Sequence, residues 1–183
     1  RAWKRFQTKL GEKKANTDKE LKNAFEKRNY KRICELINKR RKLDGKEPYT
    51  MLTLFAIVLG FFNKKVIVTD EVEEIEELEF TKADEKKYKK QIEASKCGND
   101  PDKKKRVIVV SKLKDKFNKI KKKLEDKYGM DYKYLPTEAK SKIKSKITKV
   151  LIKNTKVQNG YELGHVMFNK QGMYYGDKKD VCS

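Results

Sequence analysis

Apolar positions along this chain are sparse and regularly spaced, except in residues 51–62 (MLTLFAIVLGFF), where they run almost without a break. Periodicity cannot assign so short a run, but its setting predicts a helix over about 49–62. Pro48 suits a first turn, where its missing N–H would have had no partner. A helix that is apolar all round is either a core helix or a membrane span. Twelve residues at 1.5 Å each reach about 18 Å, short of the roughly 30 Å hydrocarbon core. The run therefore predicts a buried or interface helix around which a helical domain is organised.

The remaining elements are amphipathic. Trp3, Phe6 and Leu10 lie at helical spacing in a basic stretch, which reads as a short helix docking its aromatic side. A second reading is a basic arm whose Trp3 and Phe6 stack on bases. Thr17 and Glu20 form a capping-box pattern, opening a helix with Leu21, Phe25, Ile33 and Ile37 near one face. That helix ends in Lys39, Arg40, Arg41 and Lys42, with Gly45 as a left-handed cap. Residues 65–69 (KVIVT) and 106–110 (RVIVV), rich in β-branched side chains, read as short strands that could pair. Between them, the acidic run 70–79 repeats Val72, Ile75 and Leu78 every third position, as one edge of a short helix. Another helix starts at 81–85 with Tyr88 and Ile92 as its apolar points, and 97–102 (CGNDPD) is the clearest loop. Leu113, Phe117, Ile120, Leu124 and Tyr128 then mark a long helix that Gly129 stops. Residues 131–134 read as a turn or short strand, and Pro136 opens a last helix with Ile143, Ile147, Val150 and Leu151 on one side. A β-hairpin is expected near 161–175. Helix, basic helix, hairpin is also the order at the end of a winged-helix domain.

The fold expected is thus mainly α with minor β. Its organisation would be an N-terminal helical lobe (1–97) with the apolar helix and the acidic segment, then a lysine-rich lobe (103–183), or both merged in one domain. Charge sharpens this picture. Of 183 residues 41% are charged, only 37% are hydrophobic, and the formal net charge is +21. Residues 103–156 hold 20 Lys or Arg against 5 Asp or Glu, so +15 of that total sits there. Such an excess works against compaction and favours a polyanionic partner. Because lysine meets phosphate as a point charge, backbone binding is favoured over base readout.

Several chemistries have no support in the residues. Cys34, Cys97 and Cys182 are odd in number, widely separated and without metal-ligand spacing, which argues for a reducing compartment. His165 is the only imidazole and reads as a structural histidine. There is no glycine-rich phosphate loop, GxSxG, HExxH or CxxC, so no enzyme, metal or cofactor is expected. No signal or transit segment is visible, and the start at Arg1 fits a processed product or a chain that has lost its beginning. An intracellular setting follows: cytoplasm or nucleus, or inside a virion or ribonucleoprotein particle.

The function expected is structural, non-enzymatic nucleic-acid binding, as in a packaging, nucleoprotein, capsid-like or ribonucleoprotein-particle component. The candidate phosphate-binding residues are Lys39, Arg40, Arg41, Lys42, Lys116, Lys119, Lys123, Lys142, Lys146, Lys149, Lys178 and Lys179, with Tyr128, Tyr132, Tyr134, Tyr174 and Tyr175 available for stacking. The partner is RNA or DNA. Self-association through 51–62 or the acidic run 70–79 is a further expectation. The alternative is a helical interaction or assembly module for an acidic protein or an anionic membrane surface. The order basic helix, glycine and proline, apolar helix across 31–62 resembles the layout of small capsid proteins of the flavivirus kind. No motif is shared, and the length, acidic run and hairpin depart from that layout, so no family is assigned.

Overall fold

The computed structural model describes residues 1–10, 19–94 and 99–155, with the pairs 168–169 and 172–173. The described chain is mainly helical. In order come α1 (Ala2–Leu10), α2 (Lys19–Glu26), α3 (Tyr30–Leu43), α4 (Met51–Phe61), α5 (Thr69–Glu76), α6 (Ala83–Lys87), α7 (Lys89–Ala94), α8 (Pro101–Tyr128), a 3₁₀ turn (Tyr132–Tyr134) and α9 (Thr137–Asn154). Two compact units result, each drawn from two separate stretches: residues 1–67 with 124–137, and 68–123 with 138–183. Helix α8 contributes to both.

In the first unit, local hydrogen bonds decide where helices begin and end. Asn29 caps α3 by accepting the Arg32 N–H at 3.2 Å, and Thr50 caps α4 by accepting the Thr53 N–H at 3.3 Å. Thr50 rather than Pro48 therefore starts the apolar helix. Three helices end in the same way, with a left-handed residue whose N–H, like that of the residue after it, turns back onto free carbonyls. After α3 this residue is Gly45 (φ +72°), with Gly45 N–H to Lys42 O at 3.0 Å and Lys46 N–H to Arg41 O at 2.8 Å. After α2 it is Arg28 and after α4 it is Asn63, both at φ +52°. The break at Arg28 divides what the apolar spacing predicts as one helix from Thr17 to Lys42. Thr17 itself lies outside the described residues.

The core of this unit is largely aromatic. Phe6 lies 5.0 Å from Phe25 and 5.8 Å from Phe61, and Trp3 stacks on Phe6 at 5.3 Å. Phe25 stacks on Phe62 at 5.7 Å, and Tyr30 meets Phe55 at 5.9 Å. Such pairs add to the roughly 1.5–3 kcal/mol that burying a large apolar side chain contributes. From α4, Leu54, Phe55, Val58, Leu59 and Phe61 are buried, while Thr53, Ala56 and Gly60 are exposed. The central helix thus keeps one open face of small residues. Among the described residues no helix is long and apolar enough to cross a membrane.

In the second unit, Ile75 and Tyr88 are buried along with α8 residues Val107, Val109, Val110, Leu113, Phe117 and Ile120. Ile143, Ile147, Val150 and Leu151 of α9 are buried too. Both expected strands are overturned here. Residues 106–110 lie inside α8, which Pro101 opens as its first residue, with Asp100 O accepting the Lys104 N–H at 3.1 Å. Val107 to Ser111 are all buried, so this turn of helix has no exposed face and its periodicity is hidden. Residues 65–69 are an irregular connection whose last residue, Thr69, already begins α5. The helix expected from 81 is broken at Tyr88 into α6 and α7. Of the hairpin near 161–175, only an antiparallel pairing of Phe168–Asn169 with Gly172–Met173 is described. That is too little to support a hairpin or a wing, and the rest of the segment lies outside the described residues.

Candidate nucleic-acid interface

Helical geometry fixes where the lysines of the second unit point. With 3.6 residues per turn, the apolar spacing of α8 and α9 turns one stripe of each helix inward and leaves the intervening lysines outward. Lys119, Lys142 and Lys149 are exposed as expected. Lys142 Nζ is 3.7 Å from Glu138 Oε1, a pair one turn apart with both side chains largely exposed, which holds neither firmly.

Three other candidate lysines are engaged by the acidic run. Lys116 and Lys123 are nearly two turns apart on one face of α8. Their ammonium groups meet the two oxygens of the Glu74 carboxylate, Oε2 at 3.0 Å and Oε1 at 3.1 Å. Lys146 of α9 reaches Glu76 Oε2 at 3.3 Å. Hydrogen bonds from Lys116 and Lys123 hold the Glu74 carboxyl below the usual range, against a smaller opposing effect of burial. Donating to Glu74 in turn raises Lys123 above the ordinary lysine value. One turn before Lys116 on α8, Lys112 Nζ lies 3.1 Å from Asp84 Oδ2 and also bonds the Glu79 carbonyl. Burial opposes the Asp84 charge, but the Thr81 N–H at 2.8 Å and Lys112 outweigh it and the pKa falls. Tyr88 closes this corner by donating to Asp115 Oδ2 at 2.9 Å. The 70–79 run thus neutralises lysines of its own unit. Its partners were not readable in the sequence, since no local spacing links Glu74 to residues 42 and 49 positions away.

The last-turn cluster of α3 sits in the first unit. Lys39 and Lys42 are exposed. Arg40 Nε is 3.9 Å from Asp44, while Arg41 lies 4.0 Å over the Tyr49 ring and donates to the Glu47 carbonyl at 2.7 Å. The two arginines are thus partly occupied in closing the turn. Of the tyrosines considered for stacking, Tyr128 and Tyr132 are buried, and Tyr128 Oη accepts the Ile67 N–H at 3.4 Å. Burial pushes the Tyr132 hydroxyl well above its usual pKa. Tyr134 is half-buried. Phe6 is buried and Trp3 half-buried in the aromatic cluster, which matches the docking helix rather than the stacking arm. Lys178, Lys179, Tyr174, Tyr175, Cys97, Cys182 and His165 lie outside the described residues.

Cys34 is fully buried, and burial pushes its thiol up to about 12. Among the described residues no three His, Cys, Asp or Glu side chains are grouped to hold a metal. No protein-family model, curated protein or solved structure matches the chain.

Proposed function

We propose that this chain is a structural nucleic-acid-binding protein that holds the phosphate backbone through the lysines of α8 and α9. The observation that carries the reading is the division of these helices into two faces. Their apolar stripes (Leu113, Phe117 and Ile120; Ile143, Ile147 and Leu151) are buried. What they leave for a partner is a set of ammonium groups, among them Lys119, Lys142 and Lys149. A surface of point charges without an apolar stripe suits a regular array of phosphates better than a bilayer interior or a partner helix. Lys39 and Lys42 add two exposed cations in the first unit, and packaging or particle assembly is the role such binding would serve. The alternative, an acidic protein partner, draws support from Glu74 and Glu76, which already place carboxylates on three of the lysines.

Purification of the full chain without nuclease tests the proposal. Nucleic acid should co-purify, seen by ultraviolet absorbance and removed by nuclease, and RNA or DNA should outcompete polyglutamate of equal charge. A protein that emerges free of nucleic acid and prefers polyglutamate would overturn it.

A further inference from the structure

In the first unit a cavity of about 650 Å³ lies beside α1 and α4. Its two walls differ in chemistry. Helix α4 has no charged residue and contributes Ile57, Gly60 and Phe61. Helix α1 has no acidic residue and contributes Lys4, Arg5 and Lys9. The volume falls within the range of about 300–1,000 Å³ typical of small-molecule sites. An apolar wall beside a cationic one fits a ligand with an apolar body and an anionic head. The Phe61 ring is engaged with Phe6 and Phe25, at 5.8 and 6.3 Å, and is only 3% exposed, so no open aromatic face is offered to a base. An alkyl body fits such a wall better.

Gly60 supports this independently. Glycine is a poor helix former, yet no backbone strain at Gly60 requires one, and a Cβ there would meet nothing within 4 Å. Packing does not call for it. The effect of the missing side chain is to leave this wall of the cavity open. Arg5 is already oriented, donating from Nη1 to the Phe61 carbonyl at 2.9 Å, which places its guanidinium where the two walls meet.

We infer that this cavity binds a single-chain amphiphile with an anionic head, an alkyl phosphate or alkyl carboxylate, with its chain against half-buried Ile57 and the exposed helix surface at Gly60, and its head beside Lys4, Arg5 and Lys9. The inference does not depend on the nucleic-acid reading. Calorimetric titration of the full chain with decyl phosphate, below its micelle concentration, should give saturable one-to-one binding. Inorganic phosphate and decyltrimethylammonium should each bind at least about tenfold more weakly. Gly60→Leu fills the open wall and should weaken decyl phosphate by about tenfold or more without lowering the melting temperature. Lys4→Gln with Lys9→Gln, at two exposed positions, should weaken it independently of any effect on folding. Decanoate separates the two head groups: comparable binding shows that negative charge suffices, and weaker binding shows that the site selects phosphate. The inference is overturned if inorganic phosphate binds equally well, if the cationic amphiphile does, or if folded Gly60→Leu binds as the wild type. Displacement of decyl phosphate by an oligonucleotide would also overturn it.

Discussion

Replacing Glu74 and Glu76 by Gln removes two negative charges from a chain of net charge +21 while keeping side-chain volume. Glu74 holds Lys116 and Lys123, and Glu76 holds Lys146, so three ammonium groups lose their carboxylates. If each then meets a phosphate, the plot of log affinity against log salt on duplex DNA steepens by roughly 0.9 per contact, about 2.7 in all. A fourfold rise in salt multiplies that difference, so the variant's advantage at 50 mM shrinks about 40-fold by 200 mM. Fluorescence anisotropy with a labelled duplex of mixed sequence, read at several salt concentrations, measures both slopes. Melting should move little, because ion pairs that keep part of their solvent contact contribute at most about 1 kcal/mol each. Acid should act in the same direction. The Glu74 carboxyl is held below its usual range, so its grip persists through neutral pH and is lost as pH falls through that lowered value. An unchanged slope would show that these lysines do not face phosphate. Weaker binding with lost oligomers would make the acidic helix an assembly contact instead.

Leu54 is fully buried in α4, so Leu54→Asp should unfold the chain, because an unpaired buried carboxylate costs several kcal/mol out of a total of about 5–15. Ile57→Asp, at the half-buried edge of the cavity, should be milder, and circular dichroism with melting decides both; a Leu54→Asp protein that melts normally would refute the core assignment. Asn63→Gly should raise stability by about 0.5–1 kcal/mol in chemical denaturation, since glycine takes the left-handed conformation without a Cβ penalty. A loss there would mean that the Asn63 side chain holds the turn. Asp84 has a lowered pKa, so its contribution should be complete above the ordinary carboxylate range and fade as pH falls through the lowered value. Asp84→Asn should abolish that part of the acid response in melting curves, and an identical response in the variant would refute it.

Much of the helical order was legible, because it rests on rules local to the chain. Gly45 and Gly129 end their helices in the left-handed conformation, and the apolar positions assigned to 113–128 and 143–151 are buried. Where the reading failed, the signal was either unconventional or overridden. Arg28 takes the left-handed position that glycine usually marks, so the apolar spacing predicts one helix where two exist. Asp100-Pro101 carries the N-cap and first-residue signature of α8, yet the four β-branched residues 107–110 point to a strand by propensity alone. Burial of that whole turn lets helix prevail. The lysine face was legible as charge, but not which lysines are free. That depends on pairings such as Glu74 with Lys116 and Lys123, which only the folded unit creates.

The central claim concerns phosphate, and the salt dependence of wild-type binding tests it most directly. Lysines that displace condensed counterions give a linear fall of log affinity with log salt, and six to ten contacts lose roughly 10³–10⁵ in affinity between 50 and 200 mM. Lys119→Gln with Lys149→Gln, both exposed, should flatten that line by about two contacts and weaken all sequences alike. Lys89→Gln with Lys90→Gln, in the less basic middle of the chain, should change it little. An affinity indifferent to salt, or one that collapses on a single base change, would contradict phosphate-dominated binding and point to a protein partner.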